Sequence, residues 1–231
     1  MRKGTNISLV LVFITIGLLV SVNAAAAAIV TEESIKSETD LIKIDLSIPV
    51  LENTGDWLYT DVLNTQLRLQ HLKQALTISQ MAKEDKLALE EMNSARHFFQ
   101  YSAFSRHEVK YNKDGILSLV QTFYTYTGGA HGMTLLDAVN LDLVNQKELT
   151  LADIHPELER QKAVILAEIN RQIAIDPSQY FMDYLPVDYL NEDNFYLTEE
   201  GLVIFYQLYE IAPYASGIQE FVIPWNLLES E

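Results

Sequence analysis

Alternating apolar and polar residues predict β-strands along most of this chain. In the segment Leu41–Val50 apolar residues occupy every second position, which is typical of a half-buried strand that Pro49 would end. Two longer alternating runs flank Asn112-Lys113-Asp114-Gly115, and its Asp-Gly pair is typical of a hairpin turn. The two strands of this hairpin are Phe104–Tyr111 and Ile116–Thr127. The other predicted strands are Met133–Leu143, Asn194–Leu197, Leu202–Ile211 and Gln219–Ile223.

Helical spacing of apolar residues predicts two helical regions between these strands. The region from Trp57 to about Phe99 contains neither glycine nor proline, and Asp56 is a suitable N-cap for one helix or two in succession. A second helix is predicted from about Glu157 to Ile175, where Asp176-Pro177 would end it. The apolar residues that recur at helical spacing in the first region are Leu58, Val62, Leu69, Leu72 and Leu76. The pattern therefore predicts an α+β fold in which an antiparallel sheet, with two hairpin-containing portions, packs against helices.

The N-terminal segment has the organisation of a secretory signal peptide. Arg2 and Lys3 precede an apolar run from Ile7 to Val20, and the alanines 24–28 follow it, so we expect residues 1–28 to be cleaved from an exported protein. A retained membrane anchor is the alternative, because the run is only slightly shorter than the roughly 20 residues that span a bilayer. After this leader we expect an acidic tether at 29–40, an N-terminal α+β portion at 41–154 and a C-terminal portion at 155–231, packed together.

Charge restricts the class of partner. The chain carries 16 basic and 32 acidic residues, a formal net charge of −16; removing the leader removes two basic residues and leaves −18. Nucleic acid is not expected as a partner, because its phosphates would be repelled. A basic partner would be attracted, although solubility alone is an alternative reason for such a charge. The chain has no cysteine, so neither disulfides nor thiolate metal sites are available.

Two distinctive loops carry the candidate binding residues. The first, Thr127–Met133, places three glycines and His131 within a few residues of each other after an aromatic strand. The second, Ala212–Gly217, also follows an aromatic strand, so we expect both loops at one edge of the sheet. His131 has three possible roles: shaping the turn, contacting a ligand, or taking part in catalysis or metal binding. The candidate ligand-binding residues are Tyr126, Gly128, Gly129, His131, Tyr209, Pro213 and Tyr214.

Recognised catalytic motifs are missing from the sequence. There is no Gly-x-Ser-x-Gly elbow, phosphate-binding glycine loop, dinucleotide fingerprint or His-Glu-x-x-His arrangement. The paired carboxylates fall in helix or turn positions typical of solvated surface, whereas Asp142 and Glu210 fall within predicted strands. We therefore predict no catalytic residues, no metal ligands and no cofactor.

The order and spacing of several motifs resemble a bacterial extracytoplasmic domain family of largely unknown function. It is shared by the anti-sigma-V factor RsiV, which senses lysozyme, and by the N-terminal region of the peptidoglycan deacetylase PdaC. The resemblance extends from about Leu41 to Leu227. It rests on Thr122–Gly132, Asn140–Leu143, Leu149–Ile154, Asn194–Thr198, Gly201–Ile204, Tyr209–Gly217 and Ile223-Pro224.

The resemblance implies an α+β fold and a place outside the cytoplasm, secreted, periplasmic or at the cell envelope. It implies an exported recognition domain that binds a basic extracellular protein such as lysozyme, or a peptidoglycan component. An enzyme or enzyme-accessory domain acting on peptidoglycan is the alternative. Membrane contact is expected only if the N-terminal segment is retained. Only six residues precede Ile7, so we do not expect a sigma-binding cytoplasmic segment.

Overall fold

A computed structural model describes residues 27–92, 97–154 and 157–228 and shows two sheets with helices beside them. A six-stranded sheet has its strands in sequence order, and a three-stranded sheet has the order β7-β8-β9. The strands are β1 (Ile29–Glu38), β2 (Ile42–Glu52), β3 (Tyr101–Lys113), β4 (Ile116–Tyr126), β5 (Met133–Asp142), β6 (Lys147–Glu148), β7 (Phe195–Leu197), β8 (Gly201–Tyr206) and β9 (Gln219–Pro224). The α-helices are α1 (Trp57–Glu91), α2 (Leu151–Ile154), α3 (Leu158–Ile173) and α4 (Trp225–Leu228). The predicted α+β class is confirmed.

One pair of strands departs from the predicted antiparallel arrangement. Strands β2 and β3 are parallel from Ile42 beside Tyr101 to Leu46 beside Ser105, whereas the other neighbours are antiparallel. A parallel pair needs a crossover connection, and α1 provides it. Pro49 does not end β2; it lies beyond the parallel ladder, where a missing backbone donor is tolerated.

The predicted acidic tether at 29–40 is wrong, because Ile29–Glu38 forms edge strand β1 and pairs with β2 along its whole length. Charged side chains are common on edge strands, where they face solvent and discourage further pairing. Glu33 forms an ion pair with Arg68, whose Nε lies 3.0 Å from the carboxylate. The Glu32 carboxylate accepts a hydrogen bond from Ser47 Oγ at 2.6 Å. The acidic composition that predicted a tether therefore belongs to a sheet edge.

The predicted leader lies almost entirely outside the described residues, which begin at residue 27. Ala28, expected to be its last residue, is only 5% exposed and belongs to a core cluster with Leu63 and Leu67. Asn112 holds it on both sides, with Oδ1 accepting from the Ala28 amide at 3.0 Å and Nδ2 donating to its carbonyl at 2.7 Å. Ala28 therefore belongs to the folded domain. Within the described ranges, every helix is too short or too polar to cross a bilayer.

Local turn and cap predictions hold in several places. Asp114 and Gly115 both have positive φ, 53° and 79°, as a two-residue hairpin turn with this sequence requires. The Asp56 side chain caps α1 by accepting from the Tyr59 amide at 2.8 Å. Strand β8 ends at Tyr206, however, and not at Ile211 as predicted.

Helix α1 is one continuous helix of 35 residues that ends before Phe99. Residues 93–96 of the predicted helical region lie outside the described part. The helix packs small and medium side chains onto the sheet, and most of the leucines whose spacing predicted the helix face solvent. The buried residues are Leu63, Leu67, His71, Ala75, Ile78 and Ala82, and the exposed ones include Leu58, Val62, Leu69 and Leu76.

Helix α1 and the second sheet cover opposite faces of the first sheet. Phe123 of β4 packs against the His71 ring of α1, whereas Val120 of the same strand packs in a cluster with Val203 and Phe205 of β8. Residues an odd number apart on a strand point to opposite faces, so β4 lies between two layers. The largest core joins α3 to β7, β8 and β9. This arrangement brings the loop after β4 beside the loop after β8.

Candidate functional site

The two predicted loops meet through a pair of stacked aromatic rings. The imidazole of His131, in the β4–β5 loop, lies parallel to the phenol ring of Tyr214, with centroids 3.8 Å apart and planes inclined by 19°. Tyr209 completes the group, its ring 5.8 Å from that of Tyr214 and inclined by 35°. The loops close different sheets, so the expectation of one shared sheet edge is wrong, although the loops do meet.

Hydrogen bonds hold the His131 ring in one orientation. Its Nδ1–H donates to the Gly132 carbonyl at 2.9 Å, because a carbonyl oxygen can only accept. In the neutral ring Nε2 is then an acceptor, and the Tyr209 hydroxyl lies 3.3 Å from it as donor. Both ring nitrogens and one ring face are therefore engaged within the site.

Glycine is required in the first loop for two different reasons. Gly128 and Gly129 have φ of +94°, a region that residues with a side chain rarely adopt. At Gly132 space is the constraint, because a Cβ there would lie 2.4 Å from the Thr125 carbonyl oxygen. The Tyr126 hydroxyl donates to the Gly129 carbonyl at 3.1 Å and supports the turn from the strand side.

The second loop is positioned by its own hydrogen bonds and backbone turns. Tyr209 has a φ of +65°, and Pro213 leads into a 3₁₀ turn, Tyr214–Ser216, that ends at Gly217 with φ of +76°. Glu210 lies here, not within a strand as predicted, and its Oε2 accepts from the Gln207 amide at 2.6 Å. The aromatic side chains are thus presented from a shaped turn instead of a strand.

Several residues at this junction act in positioning the loops. The Gln207 side chain bridges to β5, where Oε1 accepts from the Leu136 amide at 3.1 Å and Nε2 donates to its carbonyl at 2.6 Å. No sequence signal indicated this contact, which forms only because the two sheets pack together. Asp142 has a local role in the turn after β5, at the other end of that strand. Burial alone would raise the pKa of its carboxyl, but bonds from the Asn145 side chain and from the Asn145 and Val144 amides outweigh this and lower it.

The assembled site is an open aromatic surface with polar tips. Tyr209 is 46% exposed and His131 is also exposed, while Met133 and Leu135 on adjoining β5 add exposed apolar area. Tyrosine and histidine in this arrangement provide rigid contact area and hydrogen-bonding groups together. In the described part of the chain, no three or more histidine, aspartate or glutamate side chains are grouped so as to hold a metal ion.

A buried histidine under α1 is a second unusual feature, and its role was not anticipated from the sequence. His71 is fully buried and donates from Nδ1 to the Leu67 carbonyl at 2.8 Å. Its ring centroid lies 4.8 Å from that of Phe123, with the ring planes inclined by 55°. Its Nε2 has no hydrogen-bond partner among the described residues. Burial lowers the pKa of His71, because a protonated ring would lose its hydration there.

Two family models match adjoining parts of the chain. Residues 35–134 match the model described as Deacetylase PdaC, and residues 142–226 match a protein family of unknown function, DUF3298. The gap between the two matches falls within β5. His131 lies in the first matched region, and Tyr209 and Tyr214 lie in the second, so the aromatic site forms where the two regions meet.

Known proteins resemble the chain over most of its length. The anti-sigma-V factor RsiV of Bacillus subtilis (strain 168) is 25% identical over 210 residues, which cover 87% of this chain and 69% of RsiV. The crystal structure of a DUF3298 family member from Bacteroides fragilis is 20% identical, with a TM-score of 0.63, and covers 89% of this chain and 93% of that one. A DUF3298 family protein from Pseudomonas aeruginosa PAO1 is 20% identical, with a TM-score of 0.58, and the match covers 87% of this chain and 90% of that one. The solved structures share the fold. The two matched regions and the similarity to RsiV are consistent with a domain family shared by RsiV-like and PdaC-like proteins.

Proposed function

We propose that this protein is an exported recognition domain that binds a basic extracellular protein through the His131–Tyr209–Tyr214 surface. The observation that carries the proposal is the pre-formed aromatic group at the meeting point of two hydrogen-bonded loops, in which His131 and Tyr209 are exposed and Tyr214 is half-buried. Side chains already held in place lose little conformational entropy when a partner binds, so more of the contact energy appears as affinity. Aromatic residues at the centre of a contact commonly supply most of its binding energy.

The charge of the chain supports a basic partner. Acidic residues outnumber basic ones two to one, giving a formal net charge of −16, and the resulting field would attract a cationic protein from solution. Lysozyme is the specific candidate, because the family resemblance includes RsiV and its sensing of lysozyme. In this proposal the field raises the association rate, and the aromatic surface determines how long the complex lasts.

Surface plasmon resonance on the immobilised mature domain tests both parts of the proposal. Raising the ionic strength from about 0.01 M to about 1 M shortens the Debye length from about 30 Å to about 3 Å, so association with lysozyme should slow at least tenfold. Dissociation should change little with salt. It should become at least tenfold faster in Tyr214→Ala, and faster also in His131→Ala. Leu76→Ala, which removes an exposed apolar side chain from α1, is the matched control and should behave as the parent protein.

Three outcomes would contradict the proposal. Absence of saturable binding to micromolar lysozyme at low salt would exclude lysozyme as the partner. Equal binding to every basic protein would reduce the effect to ion exchange. Unchanged dissociation in Tyr214→Ala would show that the aromatic surface is not the contact.

A second candidate function is an accessory role in peptidoglycan processing. It is favoured by the match of residues 35–134 to a family model described as Deacetylase PdaC. Purified cell-wall sacculi should then retain the mature domain in a sedimentation assay at about 1 M salt, where charge attraction is screened within about 3 Å. Release of the domain into the supernatant under that condition would contradict this role.

A further inference from the structure

An open cup at the start of α1, separate from the aromatic site, has an unusually exposed tryptophan on its rim. The cavity has a volume of about 550 Å³ and lies between the end of β2 and the first turns of the helix. Trp57 is 78% exposed, although burying a ring of this size would contribute strongly to folding. The cavity is lined by Asn53, Thr54, Gly55, Asp56, Trp57, Thr60, Asp61 and Asn64. None of these residues belongs to the His131 surface.

The walls of the cup are held rigidly from behind. The Asn64 amide group clamps the Leu51 backbone, with Oδ1 accepting from its N–H at 2.7 Å and Nδ2 donating to its carbonyl at 2.9 Å. The Thr60 hydroxyl donates to the Asp56 carbonyl at 2.6 Å and also contacts the Thr54 hydroxyl. A ligand would therefore enter a formed site and would not have to order this turn.

Several polar groups at the cup remain available to a ligand. Within the described residues, the Asn53 amide, the Trp57 indole N–H and the Asp61 carboxylate form no hydrogen bond or ion pair. Asp56 uses Oδ1 to cap the helix, and no contact is assigned to Oδ2 in the same part of the chain. The cup thus combines a free aromatic face with two carboxylates as acceptors and two N–H groups as donors.

We propose that this cup binds a pyranose ring of an uncharged extracellular glycan. The C–H face of the sugar stacks on the exposed indole of Trp57. Its hydroxyls donate to Asp56 and Asp61 and accept from the Asn53 amide and the indole N–H. Hydroxyl groups both donate and accept, which matches a mixed rim, whereas an anionic ligand would be repelled by the two carboxylates. The cavity lies within the range of about 300–1,000 Å³ that small-molecule sites occupy, and one ammonium group would leave most of it empty.

The two tryptophans of the chain allow a direct test by NMR. A ¹H–¹⁵N spectrum of the ¹⁵N-labelled mature domain should show two indole signals, from Trp57 and Trp225, and Trp57→Phe identifies the first by its loss. The probe is the β-1,4-linked tetramer of N-acetylglucosamine, added up to about 10 mM, ten times a dissociation constant of about 1 mM. The Trp57 signal should shift and saturate. The Trp225 signal should not move, because its indole N–H is engaged with the Thr198 carbonyl at 3.1 Å.

Variants separate the cup from the general surface. Asp61→Ala should weaken the interaction at least fivefold, and Leu76→Ala on the same helix should leave it unchanged. Failure of the Trp57 signal to move at the highest sugar concentration would overturn the proposal. The proposal would also be overturned if the Trp57 signal did not respond to the sugar but shifted with a lysine- and arginine-rich peptide, and if about 1 M salt abolished that shift. The cup would then be a cation site. Neither result bears on the His131 surface, which the lysozyme measurements test separately.

Discussion

Replacing Gly129 by valine should destabilise the protein more than removing the candidate histidine. Gly129 has a φ of +94°, and no atom lies within 4 Å of the position where a Cβ would stand. The expected cost therefore comes from the backbone conformation and not from a collision, and it amounts to about 1–3 kcal/mol for a β-branched residue. His131→Ala loses the stacked contact with Tyr214 and two hydrogen bonds, but all three lie at an exposed position where water replaces the lost partners, so we expect a cost of less than about 1 kcal/mol.

Urea unfolding followed by circular dichroism measures this difference. With a slope of about 2 kcal/mol per molar urea, a loss of about 2 kcal/mol lowers the midpoint by about 1 M, whereas His131→Ala should lower it by less than about 0.5 M. Ala130→Val is the matched control, because it introduces the same residue at an exposed neighbour whose φ is not positive. Equal midpoints for Gly129→Val and Ala130→Val would show that the loop does not need glycine, and the reasoning would be refuted.

Four further outcomes follow from single features of the fold. Gly201→Ala should lower the free energy of unfolding by at least about 1–3 kcal/mol in the same assay, because a Cβ there would lie 2.1 Å from the Ile223 carbonyl oxygen. Asp56→Ala should lower the free energy of unfolding by about 0.5–2 kcal/mol, because the α1 cap is lost. An unchanged free energy of unfolding would show that the cap is dispensable. If the leader is removed on export as proposed, intact-mass analysis of the secreted chain should find Ala28 retained; a chain that begins at residue 29 would contradict its place in the core. Burial lowers the pKa of His71, so the stability that the neutral ring contributes is present above about pH 6.5 and is lost as pH falls. His71→Phe should therefore flatten the decline of the unfolding free energy between about pH 7 and pH 5. An unchanged slope would assign that decline to other groups.

Short-range features were predictable because their causes lie within a few residues. The Asp114-Gly115 turn needs two residues that tolerate positive φ, and the Asp56 cap needs a short acceptor before the first helical turn. The β4–β5 loop was recognisable from its three glycines. The expected end of β8 at Ile211 failed because the alternation continues in the sequence, whereas the bond from the Gln207 amide to Glu210 turns the chain in space.

The fold class, most strand and helix positions, the acidic character and the two loops that carry the candidate residues were all predictable from the sequence. It could not show that Ile29–Glu38 is an edge strand, because a solvated strand and a solvated tether have similar composition. Nor could it show which face of α1 is buried, because leucines occur on both faces and only the packed sheet selects one.

The stacking of His131 on Tyr214 became visible only in the folded protein, because the two residues are 83 positions apart and lie in loops of different sheets. That contact depends on how two sheets pack across β4 and β5, which no local pattern encodes. The same holds for the cup beside Trp57, because a side chain's exposure is set by what the rest of the chain leaves uncovered.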